Sequence, residues 1–102
     1  MRLVTIHDII WSRVVVEKIQ SKHGISPEEV EYALEHRPYI QFHQPGEVKG
    51  EELYIAWGRT AAGRYVVVYF ILKKGRRALP ISARQMTRRE KRLYGRKKKK
   101  KD

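Results

Sequence analysis

The sequence predicts a single α+β domain: two N-terminal helices, a four-stranded antiparallel sheet and a C-terminal helix. Three observations carry this prediction. The first third has apolar residues at helical spacing between capping residues and glycine or proline stops. The middle has alternating or continuous apolar runs separated by turn residues. The end is a basic segment that opens with capping-box spacing.

The first helix is predicted from Ser12, a suitable N-cap, to about Lys22, with Gly24 as its stop. One face of it carries a stripe that consists of Trp11, Val15, Ile19 and Lys22. β-Branched residues lower helix propensity but form a good buried stripe. We therefore expect this helix to pack on the sheet, with Trp11 in the core.

The second helix has a more specific start signal. Ser26 is the N-cap, Pro27 occupies the first helical position, and Glu29 completes a capping box. The helix is predicted to end near His36, because Pro38 disfavours helical backbone in the residue before it.

Four strands follow, and the third is apolar on both faces, so we expect it to be central and covered on each side. Pro80 cannot donate to a strand ladder, which predicts an edge or a bulge at that position. The predicted strands are Tyr39–His43, Leu53–Trp57, Tyr65–Leu72 and Arg76–Ala83.

The C-terminal helix is predicted at Arg88–Tyr94, after a Thr87/Glu90 capping box and before Gly95 as its end. The domain is then residues 1–95, and residues 96–102 are expected to be a basic, disordered tail.

Charge is concentrated at the C-terminal end. The net charge is +12, and from Arg84 onward eleven lysines or arginines face only two acids. Such an end attracts a polyanion or an acidic protein. The chain has no cysteine, no apolar run long enough to span a membrane and no signal-peptide pattern, so we expect a cytoplasmic protein.

The sequence lacks the common catalytic motifs. The four histidines do not have the spacing of a metal site, so no metal or other cofactor is expected, and no nucleophile elbow or phosphate-binding loop is present. Cations, tyrosines and one well-placed histidine remain. They suit RNA cleavage, in which the 2′-hydroxyl of the substrate is the nucleophile and the protein transfers protons and stabilises charge.

Four residues are candidates for catalysis: Lys22, His23, Arg64 and Arg84. Arg64 starts the central strand, and Arg84 precedes a helix N-terminus that favours anions. The alternatives are an exposed hairpin arginine for Arg64 and a salt bridge, for example to Glu90, for Arg84. His23 has a side chain suited to proton transfer, or it caps the end of the first helix.

Arg88, Arg92, Tyr65 and Tyr69 are candidates for RNA binding. The two tyrosines share one sheet face, where they either stack on bases or pack under a helix with their hydroxyls at the rim.

Three groups of residues resemble the BrnT family of ribonuclease toxins, and together they span about residues 11 to 94. They are Trp11 with Lys22-His23-Gly24-Ile25-Ser26 and Glu28-Glu29; Gly58-Arg59-Thr60 with Gly63-Arg64-Tyr65; and Ile81-Ser82-Ala83-Arg84 with Thr87-Arg88-Arg89-Glu90. The resemblance implies a RelE-like fold, an endoribonuclease activity, and neutralisation by a BrnA-like antitoxin of the ribbon-helix-helix type in a 2:2 complex. The absence of metal-ligand spacing predicts that the activity needs no metal. A non-catalytic nucleic-acid-binding module or a protein-interaction module is the alternative, because phosphate-binding cations look the same in each case.

Overall fold

The computed structural model describes residues 4–101, and the side chains of residues 4–98. Three helices pack around one five-stranded sheet with the strand order β1-β5-β4-β3-β2. The elements are β1 (Asp8–Ile9), α1 (Arg13–His23), α2 (Pro27–Glu35), β2 (Tyr39–Gln44), β3 (Glu52–Arg59), β4 (Tyr65–Lys73), β5 (Arg77–Gln85) and α3 (Arg88–Lys101).

The predicted class is confirmed, but the sheet has five strands instead of four. The additional strand is β1, which pairs in parallel with β5 and makes the sheet mixed. The amide of His7 donates to the Arg76 carbonyl and that of Ile10 to the Ala78 carbonyl, both at 2.8 Å. A strand of two residues has too short a pattern for alternation to be recognised, which is why the prediction missed it.

Helices α1 and α2 begin and end close to the predicted positions. The amide of Gly24, in the left-handed conformation at φ 62°, donates to Gln20 O and ends α1. The Ser26 capping box of α2 is confirmed: the Glu29 amide donates to Ser26 Oγ at 3.2 Å, and the Ser26 amide donates to Glu29 Oε1 at 2.9 Å.

Strand β4 is buried on both faces, as predicted, with Val66, Val67 and Val68 at most 1% exposed. On the helical face, which we define as the sheet face covered by α1 and α2, the core includes Ile19, Val30, Val66, Val68 and Phe70. On the α3 face, which is the opposite one, Trp57, Val67, Met86 and Tyr94 pack together. The stripe of α1 lies on the helical face: Ile19 is buried, Trp11 and Val15 are half-buried, and Lys22 is exposed.

The irregularity predicted at Pro80 is confirmed as a bulge. Phe70 pairs with Pro80 and Tyr69 with Ser82, so Ile81 is the extra residue. The bulge leaves the Ile81 carbonyl outside the ladder, and Lys18 of α1 donates to it at 2.6 Å. This contact ties α1 to β5.

Helix α3 does not end at Gly95, so that prediction is wrong. The helix continues to Lys101, through most of the segment expected to be a disordered tail, and Asp102 lies outside the described residues. A glycine inside a helix costs only about 1 kcal/mol relative to alanine, and the lysines that follow are good helix formers. Lys97 lies over the Tyr39 ring at 4.8 Å, and Lys98 donates to the Arg37 carbonyl at 2.6 Å. These contacts join the extension to the start of β2.

We predict that Gly58→Val lowers the free energy of unfolding by about 1–3 kcal/mol, the usual effect of overpacking. A Cβ at Gly58 would lie 3.2 Å from the Ala33 carbonyl oxygen, so only glycine lets α2 pack this closely on β3. Gly95→Ala is the matched control, because a Cβ at Gly95 meets nothing within 4 Å. Alanine is also more favourable than glycine inside a helix, so this variant should stabilise α3 slightly. Urea unfolding measures both, and equal midpoints for Gly58→Val and wild type would contradict the packing argument.

Candidate active site

Arg64 connects the start of β4 to the turn between α1 and α2. Its Nη1 donates to the Gly24 carbonyl at 3.1 Å and to Glu29 Oε2 at 2.9 Å. We call this group the junction cluster, defined as Lys22, His23, Gly24, Glu29 and Arg64. Arg64 is distant in sequence from the other four residues, and its contacts join the start of β4 to the turn between α1 and α2.

The β3–β4 hairpin fixes the position of the Arg64 backbone. The Thr60 amide donates to the Arg64 carbonyl at 2.9 Å, and the Arg64 amide donates to Thr60 Oγ1 at 3.0 Å. Thr60 is buried, with 4% of its surface exposed. Gly63 precedes Arg64 at φ 90°, a conformation that favours glycine. The guanidinium therefore starts from a rigid turn.

Arg64 keeps donors available after its structural contacts are made. The side chain is 33% exposed, and within the described residues its Nε and Nη2 make no hydrogen bond. An arginine has five N–H donors. The side of the guanidinium that does not face Glu29 is thus available to an anion.

Lys22 and His23 occupy the last turn of α1, next to the Gly24 carbonyl that Arg64 contacts. Lys22 is exposed and His23 is half-buried. In the described part of the chain, neither side chain makes a hydrogen bond or an ion pair. The alternative role of His23, in which its ring caps the end of α1, is absent among these residues, because the amides of Gly24 and Ile25 cap the helix instead.

Glu29 has two roles in the junction cluster. Its Oε1 closes the α2 capping box, and its Oε2 accepts from Arg64. The hydrogen bond from the Ser26 amide, followed by the charge of Arg64, lowers the pKa of the Glu29 carboxyl below its ordinary value. The carboxylate therefore stays ionised and holds the arginine.

Arg84 forms a second group, which we call the α3-cap cluster and define as Tyr69, Arg84, Thr87 and Glu90. Its Nη1 and Nη2 donate to the two oxygens of Glu90 at 2.7 and 2.9 Å, and Nη2 also approaches the Tyr69 hydroxyl at 3.4 Å. The Thr87/Glu90 capping box is confirmed, with bonds of 2.8 and 3.1 Å. The salt-bridge alternative for Arg84 is thus confirmed as a contact.

The pKa values reflect this coupling. Hydrogen bonds from Arg84, helped by the Thr87 amide, lower the pKa of Glu90 to about 2, and the bonds to Glu90 raise that of Arg84 above its ordinary value. Both groups are charged throughout the physiological range.

Arg64 and Arg84 lie on opposite faces of the sheet. Arg64 contacts α1 and α2 on the helical face, whereas Arg84 contacts α3 and Tyr69 on the α3 face. The structure therefore places Arg64 at the end of α1 whose last turn carries Lys22 and His23, and it places Arg84 on the other face of the sheet. The catalytic roles of all four stay predictions.

The residues expected to bind RNA lie on the α3 face. Arg88 and Arg92 are exposed on α3, and Tyr65 and Tyr69 are half-buried beneath it. Sequence analysis missed Arg59, whose guanidinium carbon lies 4.7 Å from the centre of the Tyr65 ring. The hairpin pattern itself was a usable signal, because a connection centred on Ala62 pairs position 59 with position 65 across the strands.

Among the described residues, no three His, Asp or Glu side chains converge as metal ligands, and no helix is long and apolar enough to cross a membrane.

The α+β fold and the cations at one end of its sheet are consistent with a ribonuclease toxin, and the sequence matches such a family. Residues 11–90 match the sequence profile of the family described as "Ribonuclease toxin, BrnT, of type II toxin-antitoxin system". The chain therefore belongs to the BrnT family, which confirms the resemblance found in the sequence. Membership implies an RNA substrate and an antitoxin partner.

A solved structure has a similar fold. The 1.1 Å crystal structure of the Brucella abortus ribonuclease toxin BrnT superposes with a TM-score of 0.56 at 20% identity, covering 82% of this chain and all of the other. No curated protein sequence matches the chain.

We predict that acidification destabilises the protein through Glu90. Its pKa is depressed in the folded state, so its contribution to stability is full above the ordinary value of 4.5 and is lost as the pH falls towards 2. Glu90→Gln should flatten this part of the stability profile. Thermal unfolding between pH 7 and 2 measures it, with Glu28→Gln as control because Glu28 is exposed on α2. Identical profiles for Glu90→Gln and wild type would contradict the assignment.

Proposed function

We propose that this protein is an endoribonuclease that cleaves RNA by attack of the substrate's own 2′-hydroxyl, without a metal ion, at the junction cluster. The observation that supports this most is the incomplete use of Arg64. Glu29 and Gly24 hold it through Nη1, its remaining donors stay available, and the adjoining last turn of α1 carries Lys22 and His23, whose side chains are unpaired within the described residues. The reaction needs groups that transfer protons and a cation that stabilises charge. His23 and Lys22 are of the first type, and Arg64 is of the second.

The proposed reaction needs two proton transfers and one charge to be stabilised. The 2′-oxygen loses its proton and forms a bond to the adjacent phosphorus, and the bond from phosphorus to the 5′-oxygen breaks. The 5′-oxygen takes up a proton, so the products are a 2′,3′-cyclic phosphate and a 5′-hydroxyl. His23 and Lys22 are the proposed proton-transfer groups, in roles that remain to be assigned between them. Arg64 stabilises the phosphorane, which removes the need for a metal as the source of positive charge.

Arg84 has a less direct place in this proposal. Glu90 already neutralises it through two hydrogen bonds, so it must release that carboxylate before it binds a phosphate. A role in holding α3, and with it Arg88 and Arg92, is consistent with every contact that it makes. We therefore assign Arg84 to the positioning of the RNA-binding helix rather than to the reacting phosphate.

We predict that the purified protein cleaves single-stranded RNA in EDTA, and that Arg64→Ala lowers the single-turnover rate about 10²-fold or more. Product ends are identified by mass spectrometry, where the 2′,3′-cyclic phosphate or its hydrolysis product is expected. Lys74→Ala is the control for lost positive charge, because Lys74 lies in the turn at the far end of the sheet. Strict dependence on Mg²⁺, or full activity of folded Arg64→Ala, would contradict the mechanism.

Two variants on the α3 face separate the roles of Arg84 in the same assay. Arg84→Ala should also lower turnover, because it releases the start of the RNA-binding helix α3. If Arg84 positions α3, Glu90→Gln impairs cleavage as well, since either change breaks the same link. If Arg84 binds the reacting phosphate, Glu90→Gln frees its charge and cleavage is kept or increased. RNA binding without any cleavage in wild type would favour the non-catalytic binding module.

The antitoxin is proposed to be a BrnA-like protein of the ribbon-helix-helix type that forms a 2:2 complex in the cytoplasm, and the RelE-like relationship of the fold belongs to the same proposal. We predict that coexpression with the product of a neighbouring gene yields this complex and restores growth. Size-exclusion chromatography with light scattering measures the stoichiometry. A chain that neither slows growth nor copurifies with that product would contradict the pairing and favour the protein-interaction module.

A further inference from the structure

Two cations from different elements converge on the Tyr65 ring. Arg59 is its cross-strand neighbour on β3, and its guanidinium carbon lies 4.7 Å from the ring centre. Lys91, near the start of α3, places its Nζ 5.5 Å from the same centre. Tyr94 packs edge-on against the ring, with 6.0 Å between the ring centres. All four side chains lie on the α3 face.

Within the described residues, no carboxylate neutralises this pair of cations. The one hydrogen bond of Arg59 is a long one, 3.5 Å to the Gly63 carbonyl, and Lys91 makes neither a side-chain hydrogen bond nor an ion pair. This differs from Arg64 and Arg84, each of which has a glutamate. Two unneutralised cations beside one ring make this part of the surface attractive to an anion.

The hairpin provides space for the Arg59 guanidinium. A Cβ at Gly63 would lie 3.0 Å from Arg59 Nη2, and the backbone there has φ 90°. Glycine at this position therefore both permits the turn and leaves room for the guanidinium above it.

We propose that Arg59, Tyr65 and Lys91 form a second RNA-binding site, which holds a phosphate of the single strand that flanks the cleaved bond. The site contains what such binding uses: cations for the phosphate, and an aromatic ring and a guanidinium plane on which a base stacks. That the ligand is RNA rests on the proposed function.

The position of the site relative to the junction cluster defines a path. Tyr65 follows Arg64 in the chain, yet the two side chains point to opposite faces of the sheet. An RNA strand bound at both sites passes over the end of the sheet beside the hairpin, from the helical face to the α3 face. It then reaches Arg88 and Arg92, which are exposed on the same helix as Lys91.

The test measures binding of a 2′-O-methyl RNA oligonucleotide, which lacks the attacking hydroxyl, over a range of salt concentrations. The Arg59→Gln/Lys91→Gln double variant should bind at least tenfold more weakly at low salt. Its salt slope should fall by about 0.7, since the site holds one phosphate and each phosphate contact to a single strand contributes about 0.7. Lys91→Gln alone should give about half of that change. Both side chains are exposed, so the fold should be unaffected, which thermal unfolding checks.

The matched control is Lys49→Gln/Lys74→Gln, which removes the same charge from exposed positions at the other end of the sheet. A slope in the Arg59/Lys91 variant equal to that of wild type or of this control would overturn the proposal. If the double variant binds RNA like wild type but no longer binds the antitoxin, the proposal is also overturned. The site would then be assigned to binding of an acidic protein segment. If wild type binds but never cleaves, the proposed nuclease function fails while a reduced slope still supports this site.

Discussion

The contact on which this structure depends most is the bridge from Arg64 to Glu29 and the Gly24 carbonyl. Arg64 is 35 residues from Glu29 and 40 residues from Gly24 in the sequence. The bridge fixes the start of the central strand against the turn between α1 and α2. The two partners are themselves fixed: Gly24 by the helix end that it caps, and Glu29 by its capping box. The candidate active site is therefore assembled from rigid pieces, as a site that stabilises a transient charge requires.

The same device occurs on both faces of the sheet. Glu29 and Glu90 each close a capping box at the start of a helix, and each carboxylate also binds an arginine from the sheet. A capping glutamate in this way both accepts a hydrogen bond from a free backbone amide at the helix start and anchors an arginine from the sheet or its hairpin. The two pairs differ in the number of hydrogen bonds between arginine and glutamate. Arg64 donates to Glu29 through one terminal nitrogen, whereas Arg84 donates to Glu90 through both terminal nitrogens. This difference is the physical reason for placing the reacting phosphate at Arg64.

Local features of the fold could be predicted because their causes are local. Both capping boxes, the stop at Gly24 and the bulge at Pro80 follow from side chains within a few residues of each other. Strand β1 and the continuation of α3 beyond Gly95 could not, because β1 depends on pairing with β5 and the end of α3 contacts Tyr39 and Arg37. Arg64 was a candidate from the sequence, but its partner Glu29 was expected only to cap a helix. The pairing of the two depends on how α2 packs over the sheet, which no local pattern encodes.

The most direct test of the central claim is chemical rescue of the Arg64→Ala variant. Single-turnover RNA cleavage is measured in EDTA with millimolar guanidinium chloride, with urea as the neutral analogue, and in parallel for Arg84→Ala. If Arg64 stabilises the phosphorane in the junction cluster, guanidinium raises the rate of Arg64→Ala in a saturable manner, urea has no effect, and Arg84→Ala gains little. Rescue of Arg84→Ala alone, with Arg64→Ala folded and unresponsive, would contradict the account and move the reacting phosphate to the α3 face.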